Sequence, residues 1–213
     1  DGTGRYITPN QVIALLLVHL VEHREYEGAV VRTVATTHLL DRLAEKYGLE
    51  LIETPVGFKH ICAEMRTRPV IVGGEESGGL SIGAHIPEKD GILANLLIAE
   101  MQAVRRESLT HLLKEIMAEV GTVHSRRIDL RYPDEKKASL VQELVAVPPE
   151  TIAGRKLAGI TDIDGAKLIL EDGSWFLVRP SGTEPLLRIY IEGESEQEVQ
   201  EIQDAVTALV EDH

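Results

Sequence analysis

The stretch "VRPSGTEPLLRIYIEG", residues 178–193, places a turn of small polar residues between two apolar runs. The run before the turn ends at Arg179, and the run after it contains Arg188. Proline, serine, glycine and threonine are residues that favour turns. The stretch therefore predicts two strands joined by a short loop, with two arginines and two hydroxyl groups close to the bend.

The surrounding sequence predicts that these strands belong to an antiparallel sheet. Upstream, "RKLAGITDIDGAKLILEDGSWFLVRPSG" contains two Asp-Gly pairs between apolar runs, a pattern typical of consecutive hairpins. A strand, "RRIDLRY", and a helix, "DEKKASLVQELVAV", come before it. The last helix begins after Ser195, and Glu198 three residues later predicts a capping box. Residues 122–213 are therefore expected to form an α+β domain with an antiparallel sheet.

The first part of the chain has a different pattern. Thr8 and Pro9 are a helix-start signal, and the helix is expected to continue to about His23 and to be apolar nearly all round. Three short apolar strands follow, separated by helices, in the segments "GAVVRTVA", "LELIETPV" and "RPVIVGGEESGG"; two further helices run from residue 89 to 121. Strands that alternate with helices indicate a parallel βαβ sheet. We therefore expect an α/β domain over residues 8–121.

The composition excludes several classes of protein. The 213 residues carry a formal net charge of −13, with −5 in residues 1–121 and −8 in the remainder. A chain this acidic argues against a nucleic-acid or membrane-surface protein, which needs a basic face. The longest apolar run, residues 12–20, is interrupted by His19 and is too short to span a bilayer. The single cysteine, Cys62, excludes an internal disulfide framework and favours a reducing, cytoplasmic compartment.

The glycine-rich loop over residues 73–91 is the first candidate site. Glu75 and Glu76 are adjacent at the end of a predicted strand, with glycines on both sides that allow close approach of a ligand. A carboxylate accepts two hydrogen bonds at once, which suits the vicinal hydroxyls of a sugar, and Ser77 adds a further hydroxyl. The alternative is a solvated turn with acidic residues at its rim.

The loop at residues 179–183 is the second candidate site. Phosphate is bound by hydroxyls, backbone N–H groups and guanidinium groups. The loop offers these groups through Arg179, Ser181, Gly182 and Thr183. In this interpretation Arg179 is a solvent-facing loop residue. The alternative is a plain β-turn in which these are merely turn-forming residues.

Together, the two loops resemble the third and fourth domains of the α-D-phosphohexomutase family, the phosphoglucomutases and phosphomannomutases. "GGEESGG" resembles the family's sugar-binding loop, and "RPSGTEPLLRI" resembles its phosphate-binding loop. The segments "ITPNQVIALLLVHLV", "TPVGFKHI" and "EKDGILANLLIAEM" match family segments in the same order, so the resemblance covers essentially the whole chain. It implies that residues 1–7 end a preceding metal-binding domain, that 8–121 form the sugar-binding domain and that 122–213 form the phosphate-binding domain.

The resemblance also implies a reaction. In this family a phosphoserine donates its phosphoryl group to a hexose phosphate, a bisphosphosugar such as glucose 1,6-bisphosphate forms, and Mg²⁺ supports the transfer. The result is interconversion of hexose 1-phosphate and hexose 6-phosphate. The serine and the aspartate-rich metal loop belong to the preceding domains, so we expect no metal ligand in this chain and no mutase activity from it alone. Its expected partners are the phosphosugar and the remaining N-terminal domains.

Site residues carry over from the family by position. The sugar contacts fall on Glu75, Ser77 and Lys89, with Lys59 as a weaker match. The phosphate contacts fall on Arg179, Ser181, Gly182 and Thr183, with Arg188 as a weaker match that fits a strand face equally well. Some mannose-accepting relatives carry a histidine where this chain has Gly79, and His85 is a candidate to replace it or to act as a general acid or base.

The resemblance leaves the substrate open. Glucose is the expected hexose, because Lys89 matches glucose-type members. Mannose remains an alternative, and so does glucosamine, although phosphoglucosamine mutases usually carry Gln and His in place of Glu76 and Gly79. A non-catalytic phosphosugar-binding module is a further alternative.

Overall fold

The computed structural model describes residues 1–212. It divides into two compact units, Asp1–Gly121 and Thr122–His213. No helix among the described residues has both the length and the apolarity needed to cross a bilayer.

The first unit is an α/β structure, as predicted. Its elements are α1 (Pro9–Arg24), β1 (Ala29–Thr33), α2 (Leu39–Tyr47), β2 (Leu51–Thr54), α3 (Phe58–Thr67), β3 (Val70–Gly74), β4 (Leu80–Ile82), α4 (Gly91–Arg105) and α5 (Leu109–Val120). The sheet order is β2-β1-β3-β4, with β1 parallel to both β2 and β3. β4 pairs with β3 in the antiparallel direction. The sequence predicts a glycine-rich loop at the position of β4, because three residues are too few to show the alternation of a strand.

Helix α1 is capped and covered, as its sequence predicts. Thr8 accepts a hydrogen bond from the backbone N–H of Gln11, whose side chain accepts one from the N–H of Thr8. A reciprocal pair of this kind satisfies two backbone donors that the helix itself leaves without partners. The buried side chains of α1 extend from Ile13 to Leu20 with a single interruption, at the half-buried Val18, and they include His19.

The second unit is an antiparallel sheet with two long helices. Its elements are β5 (His124–Arg131), α6 (Asp134–Ala146), β6 (Thr151–Ile152), β7 (Arg155–Thr161), β8 (Ala166–Leu170), β9 (Trp175–Pro180), β10 (Leu186–Gly193) and α7 (Glu196–Glu211). The strand order is β5-β10-β9-β8-β7-β6, and every pairing is antiparallel. The two Asp-Gly pairs lie between β7 and β8 and between β8 and β9, as predicted. The two-residue strand β6 was not predicted.

One sheet face of the second unit packs against both helices. The core contains Leu140 and Leu144 of α6, Val178 of β9, and Leu187 and Ile189 of β10, together with the apolar face of α7. Side chains alternate along a strand, so the strand residues next to Val178, Leu187 and Ile189 project from the opposite face of the sheet.

The predicted capping box of α7 is only half formed. Ser195 accepts from the N–H of Glu198, as expected. The Glu198 carboxylate, however, accepts from the N–H of Glu194 at 2.7 Å, one residue before the cap.

Candidate functional site

The loop after β3 contains a buried carboxylate. Glu75 follows the last residue of β3 and is only 5% exposed. Its Oε1 accepts a hydrogen bond of 3.0 Å from the N–H of Gly57. Gly57 is the N-cap of α3 and has a φ of 130°, a conformation that L side chains rarely adopt. The positive end of the α3 dipole therefore faces the Glu75 carboxylate.

Because Gly79 has no side chain, there is room beside it for the Glu75 carboxylate. A Cβ at position 79 would lie 2.8 Å from Glu75 Oε2, 3.2 Å from the Phe58 ring and 3.3 Å from Lys89 Cδ. The Lys89 ammonium lies 5.8 Å from the centroid of the Phe58 ring. The structure thus brings Glu75 and Lys89 together around a position where a side chain does not fit.

The remaining residues of the first candidate site are more exposed. Ser77 lies in the turn closed by the hydrogen bond from Gly78 N–H to the Glu75 carbonyl, 3.0 Å long. Lys59 is exposed in the first turn of α3, two residues after Gly57. Both positions leave the side chain accessible to a ligand.

His85 is paired with Asp90. The His85 Nε2 lies 3.0 Å from Asp90 Oδ2, and both side chains are about one-third exposed. Asp90 is also the N-cap of α4 and accepts from the N–H groups of Ile92 and Leu93. The hydrogen bond from Leu93 and that from His85 lower the pKa of Asp90. His85 is therefore tied to the start of α4.

The second candidate site begins in a strand. Arg179 was expected in a solvent-facing loop, but it is part of β9, and its side chain is only 18% exposed. Its Nε donates to Asp164 Oδ2 at 2.9 Å. Asp164 lies in the Asp-Gly turn before β8, where a Cβ on Gly165 would meet the Val178 carbonyl at 2.6 Å. The hairpin turn therefore packs directly against the end of β9 and supplies the carboxylate.

Arg188 lies directly opposite Arg179 on β10. Two like charges facing each other across strands destabilise a sheet unless other charges compensate them. Arg188 donates to Glu184 at 3.0 Å and faces Asp129 of β5 on its other side. The Arg188 Nε is buried and has no hydrogen-bond partner among the described residues. The two guanidinium groups thus lie side by side on the face away from the helices, and each is paired with a carboxylate.

The predicted loop residues follow these arginines. Ser181 is buried, its N–H donates to the Leu186 carbonyl, and its Oγ lies 3.5 Å from Thr183 N. Thr183 and Gly182 are exposed. Within residues 1–212, the N–H of Gly182 has no hydrogen-bond partner.

Two residues near this loop were not predicted from the sequence. Lys137 of α6 is buried, and its ammonium donates to the carbonyls of Ser181 and Glu184. Its position could have been predicted from the helical spacing, which places this lysine on the same apolar face of α6 as Leu140 and Leu144. The other missed residue is Asp164, for which the sequence offers no signal beyond the turn itself.

The Mg²⁺ that the family resemblance implies has no fitting ligand set among the described residues. No group of three or more His, Cys, Asp or Glu side chains is arranged to hold a metal ion within residues 1–212.

Comparison with known proteins matches both units to one family. The model for phosphoglucomutase/phosphomannomutase α/β/α domain III matches residues 8–120, and that for the C-terminal domain of the same family matches residues 128–209. A phosphoglucomutase from Komagataeibacter xylinus is 33% identical over 97% of this chain and 41% of its own length. A Methanothermobacter thermautotrophicus protein assigned as a phosphoglucosamine mutase is 32% identical over 99% of this chain and 44% of its own length.

A solved structure supports the same relationship. The crystal structure of a Thermus thermophilus protein assigned as a phosphomannomutase superimposes with a TM-score of 0.78 at 33% identity, over 96% of this chain and 41% of that one. The chain thus spans less than half the length of these relatives. Both matched domains and their order place this chain in the phosphoglucomutase/phosphomannomutase family.

Proposed function

We propose that a protein containing this chain is a phosphohexomutase that interconverts hexose 1-phosphate and hexose 6-phosphate, with glucose as the hexose. In this proposal the loop over residues 73–91 binds the sugar hydroxyls, and the loop after β9 binds the phosphate that is not reacting. The observation that carries the proposal is the facing pair Arg179 and Arg188, beside a Gly182 N–H that has no partner among the described residues.

The arginine pair supports an anion site on energetic grounds. Each guanidinium donates to a carboxylate, Asp164 for Arg179 and Glu184 for Arg188. A dianion between the two guanidiniums would reduce their mutual repulsion and accept hydrogen bonds from their remaining N–H groups. The hydroxyls of Ser181 and Thr183 and the Gly182 N–H would complete the donor set. Phosphate is the anion whose charge and number of acceptors suit these donors.

The first loop supports binding of an uncharged polyol. A charged acceptor with little exposure, such as Glu75, forms strong hydrogen bonds to sugar hydroxyls. Lys89 beside it donates in turn, and Ser77 and Lys59 lie on accessible positions nearby. A mutase must hold the sugar in two orientations, which requires a few strong contacts rather than a tightly fitted pocket. A phosphoserine, the Mg²⁺ site and the bisphosphosugar chemistry are proposed to involve parts of the protein outside this chain.

Relatives of nearly equal identity carry different substrate names, which keeps mannose 1-phosphate and glucosamine 1-phosphate as alternatives to glucose 1-phosphate. The kcat/KM values of the full-length enzyme for these three substrates discriminate among them. We expect the highest value for glucose 1-phosphate, because Lys89 matches glucose-type members. A non-catalytic module would bind the sugar phosphates without turning any of them over.

The phosphate site is tested by titration of the 213-residue chain with glucose 1-phosphate, observed by amide NMR. We expect shifts at residues 179–183 and a loss of affinity of about tenfold or more in Arg179→Ala, which removes a charged donor. The matched control is Arg131→Ala, which removes an exposed arginine from β5 of the same sheet. Equal affinity in Arg179→Ala and Arg131→Ala would contradict the assignment of Arg179 to the phosphate site.

A further inference from the structure

Lys137 is a buried lysine whose ammonium group is fully engaged inside the second unit. Its Nζ donates to the Ser181 carbonyl at 2.8 Å and to the Glu184 carbonyl at 2.9 Å, and it lies 2.6 Å from Asp134 Oδ1. A lysine ammonium has three N–H donors, so these three acceptors use all of them. Lys137 therefore has no donor left for a ligand.

The contact with Ser181 determines the orientation of a peptide group. In a trans peptide the C=O and the following N–H point in opposite directions, and no peptide bond among the described residues is cis. Since the Ser181 carbonyl faces the Lys137 ammonium, the N–H of Gly182 points away from Lys137. That N–H is the one without a partner among the described residues.

The direction away from Lys137 is also the direction of the arginine pair. Lys137 belongs to α6, which packs with Val178 and Leu187 on the core face of the sheet. Arg179 and Arg188 alternate with those residues and so project from the opposite face. The Gly182 N–H and the two guanidinium groups are thereby presented on the same side of the strands.

Few other hydrogen bonds in the loop fix the orientation of the Ser181–Gly182 peptide. Within it, Ser181 N–H donates to the Leu186 carbonyl and Leu186 N–H to the Glu184 carbonyl. Neither bond involves the Ser181 carbonyl or the Gly182 N–H. Glycine at position 182 also lets this peptide rotate more freely than any other residue would. The Lys137 ammonium supplies the constraint from outside the loop.

We propose that Lys137 is a positioning residue of the phosphate loop. It holds the Ser181–Gly182 peptide so that its N–H faces the bound phosphate, and it does not contact the phosphate itself. This inference rests on the proposed phosphate-binding role of the loop.

The test compares Lys137→Met with Lys136→Met in the 213-residue chain. Lys136 is the exposed neighbour on the same helix, so the two variants lose the same charge. Each protein is titrated with inorganic phosphate, and the amide of Gly182 is followed by NMR. The single tryptophan, Trp175, donates its indole N–H to Glu192 and gives one indole signal, which reports whether the second unit keeps its fold.

We expect Lys137→Met to keep the Trp175 signal, to lose the phosphate-dependent shift of Gly182 and to bind phosphate about tenfold more weakly or worse. Lys136→Met should bind like the wild type. Wild-type-like binding by Lys137→Met would overturn the positioning role while leaving the phosphate site intact. If phosphate shifts none of residues 179–183 in the wild type, the proposed function of the loop fails and this inference fails with it.

A second measurement covers the case in which Lys137→Met does not fold. Scalar couplings across hydrogen bonds, from the Lys137 Nζ to the carbonyl carbons of Ser181 and Glu184, are measured in the wild type with and without phosphate. We expect both couplings in both states. Their absence, or their loss when phosphate binds, would show that the ammonium does not hold the loop and would overturn the proposal.

Discussion

At the residue scale, Glu75 is the side chain on which sugar binding depends in the proposed function. Its carboxylate is buried and accepts from the Gly57 N–H, so Gln can replace its shape but not its charge. In the full-length enzyme we expect Glu75→Gln to lower kcat/KM for glucose 1-phosphate by about one to two orders of magnitude. The steady-state assay should include Glu64→Gln, a matched change on α3 outside the site. An unchanged kcat/KM in Glu75→Gln would mean that the carboxylate only stabilises the start of α3.

The lack of space for a side chain at Gly79 leads to a second prediction at the residue scale. A methyl group at this position would lie within 2.8 Å of Glu75 Oε2, so the carboxylate must move in Gly79→Ala. We expect kcat/KM to fall in Gly79→Ala and to fall little further in the double variant with Glu75→Gln, because both changes affect one interaction. Gly91→Ala is the control, since no atom lies within 4 Å of the added carbon there. Fully additive losses would show that Gly79 acts independently of Glu75.

At the element scale, the start of α1 depends on the reciprocal hydrogen bonds of Thr8 and Gln11. Thr8→Ala removes one N-cap acceptor, and such changes cost about 1 kcal/mol of stability. We expect the amides of α1 to exchange with solvent faster by the corresponding factor in native-state hydrogen exchange. Thr122→Ala, an exposed threonine outside the helices, should leave these rates unchanged. Equal rates in Thr8→Ala and the wild type would show that packing alone determines the stability of α1.

At the scale of the whole molecule, the two units are expected to respond differently to pH, because the first contains a buried histidine. His19 lies 3.2 Å from Glu100, and burial lowers its pKa below the ordinary value of 6.5 although Glu100 acts in the opposite direction. The unfolded chain therefore binds a proton more readily at this site. The stability from His19 is fully present above pH 6.5 and is lost as the pH falls through the lowered pKa.

We expect the first unit to lose stability below pH 6.5, measured by hydrogen exchange of its core amides, and His19→Gln to reduce this dependence. The fluorescence of Trp175 reports on the unfolding of the second unit. Its unfolding transition should be the same in His19→Gln and the wild type. His60→Gln, at a half-buried position of α3, is the control within the first unit. A pH dependence that is identical in His19→Gln and the wild type would exclude His19 as its source.

The sequence by itself determined most of the local elements of this protein, and it predicted ligands for its two loops. The Thr8–Pro9 signal, the Asp-Gly pairs and the alternation of strands with helices depend on contacts between near neighbours, so they predict α1, the hairpins and both fold classes. The residue types in "GGEESGG" and "RPSGTEP" predict a polyol and an anion as ligands without any knowledge of the fold, and this remains a prediction.

Only the tertiary structure decided which distant residues meet at those loops. The contacts of Glu75 with Gly57, of Arg179 with Asp164 and of Lys137 with the Ser181 carbonyl join residues 18, 15 and 44 positions apart. Arg179 was predicted as a loop residue, but the pairing of β9 with β10 extends through it and orders it opposite Arg188. Strand pairing and helix packing determine such contacts, and the distances along the chain do not reveal them, because each depends on the register of elements that are separate in sequence.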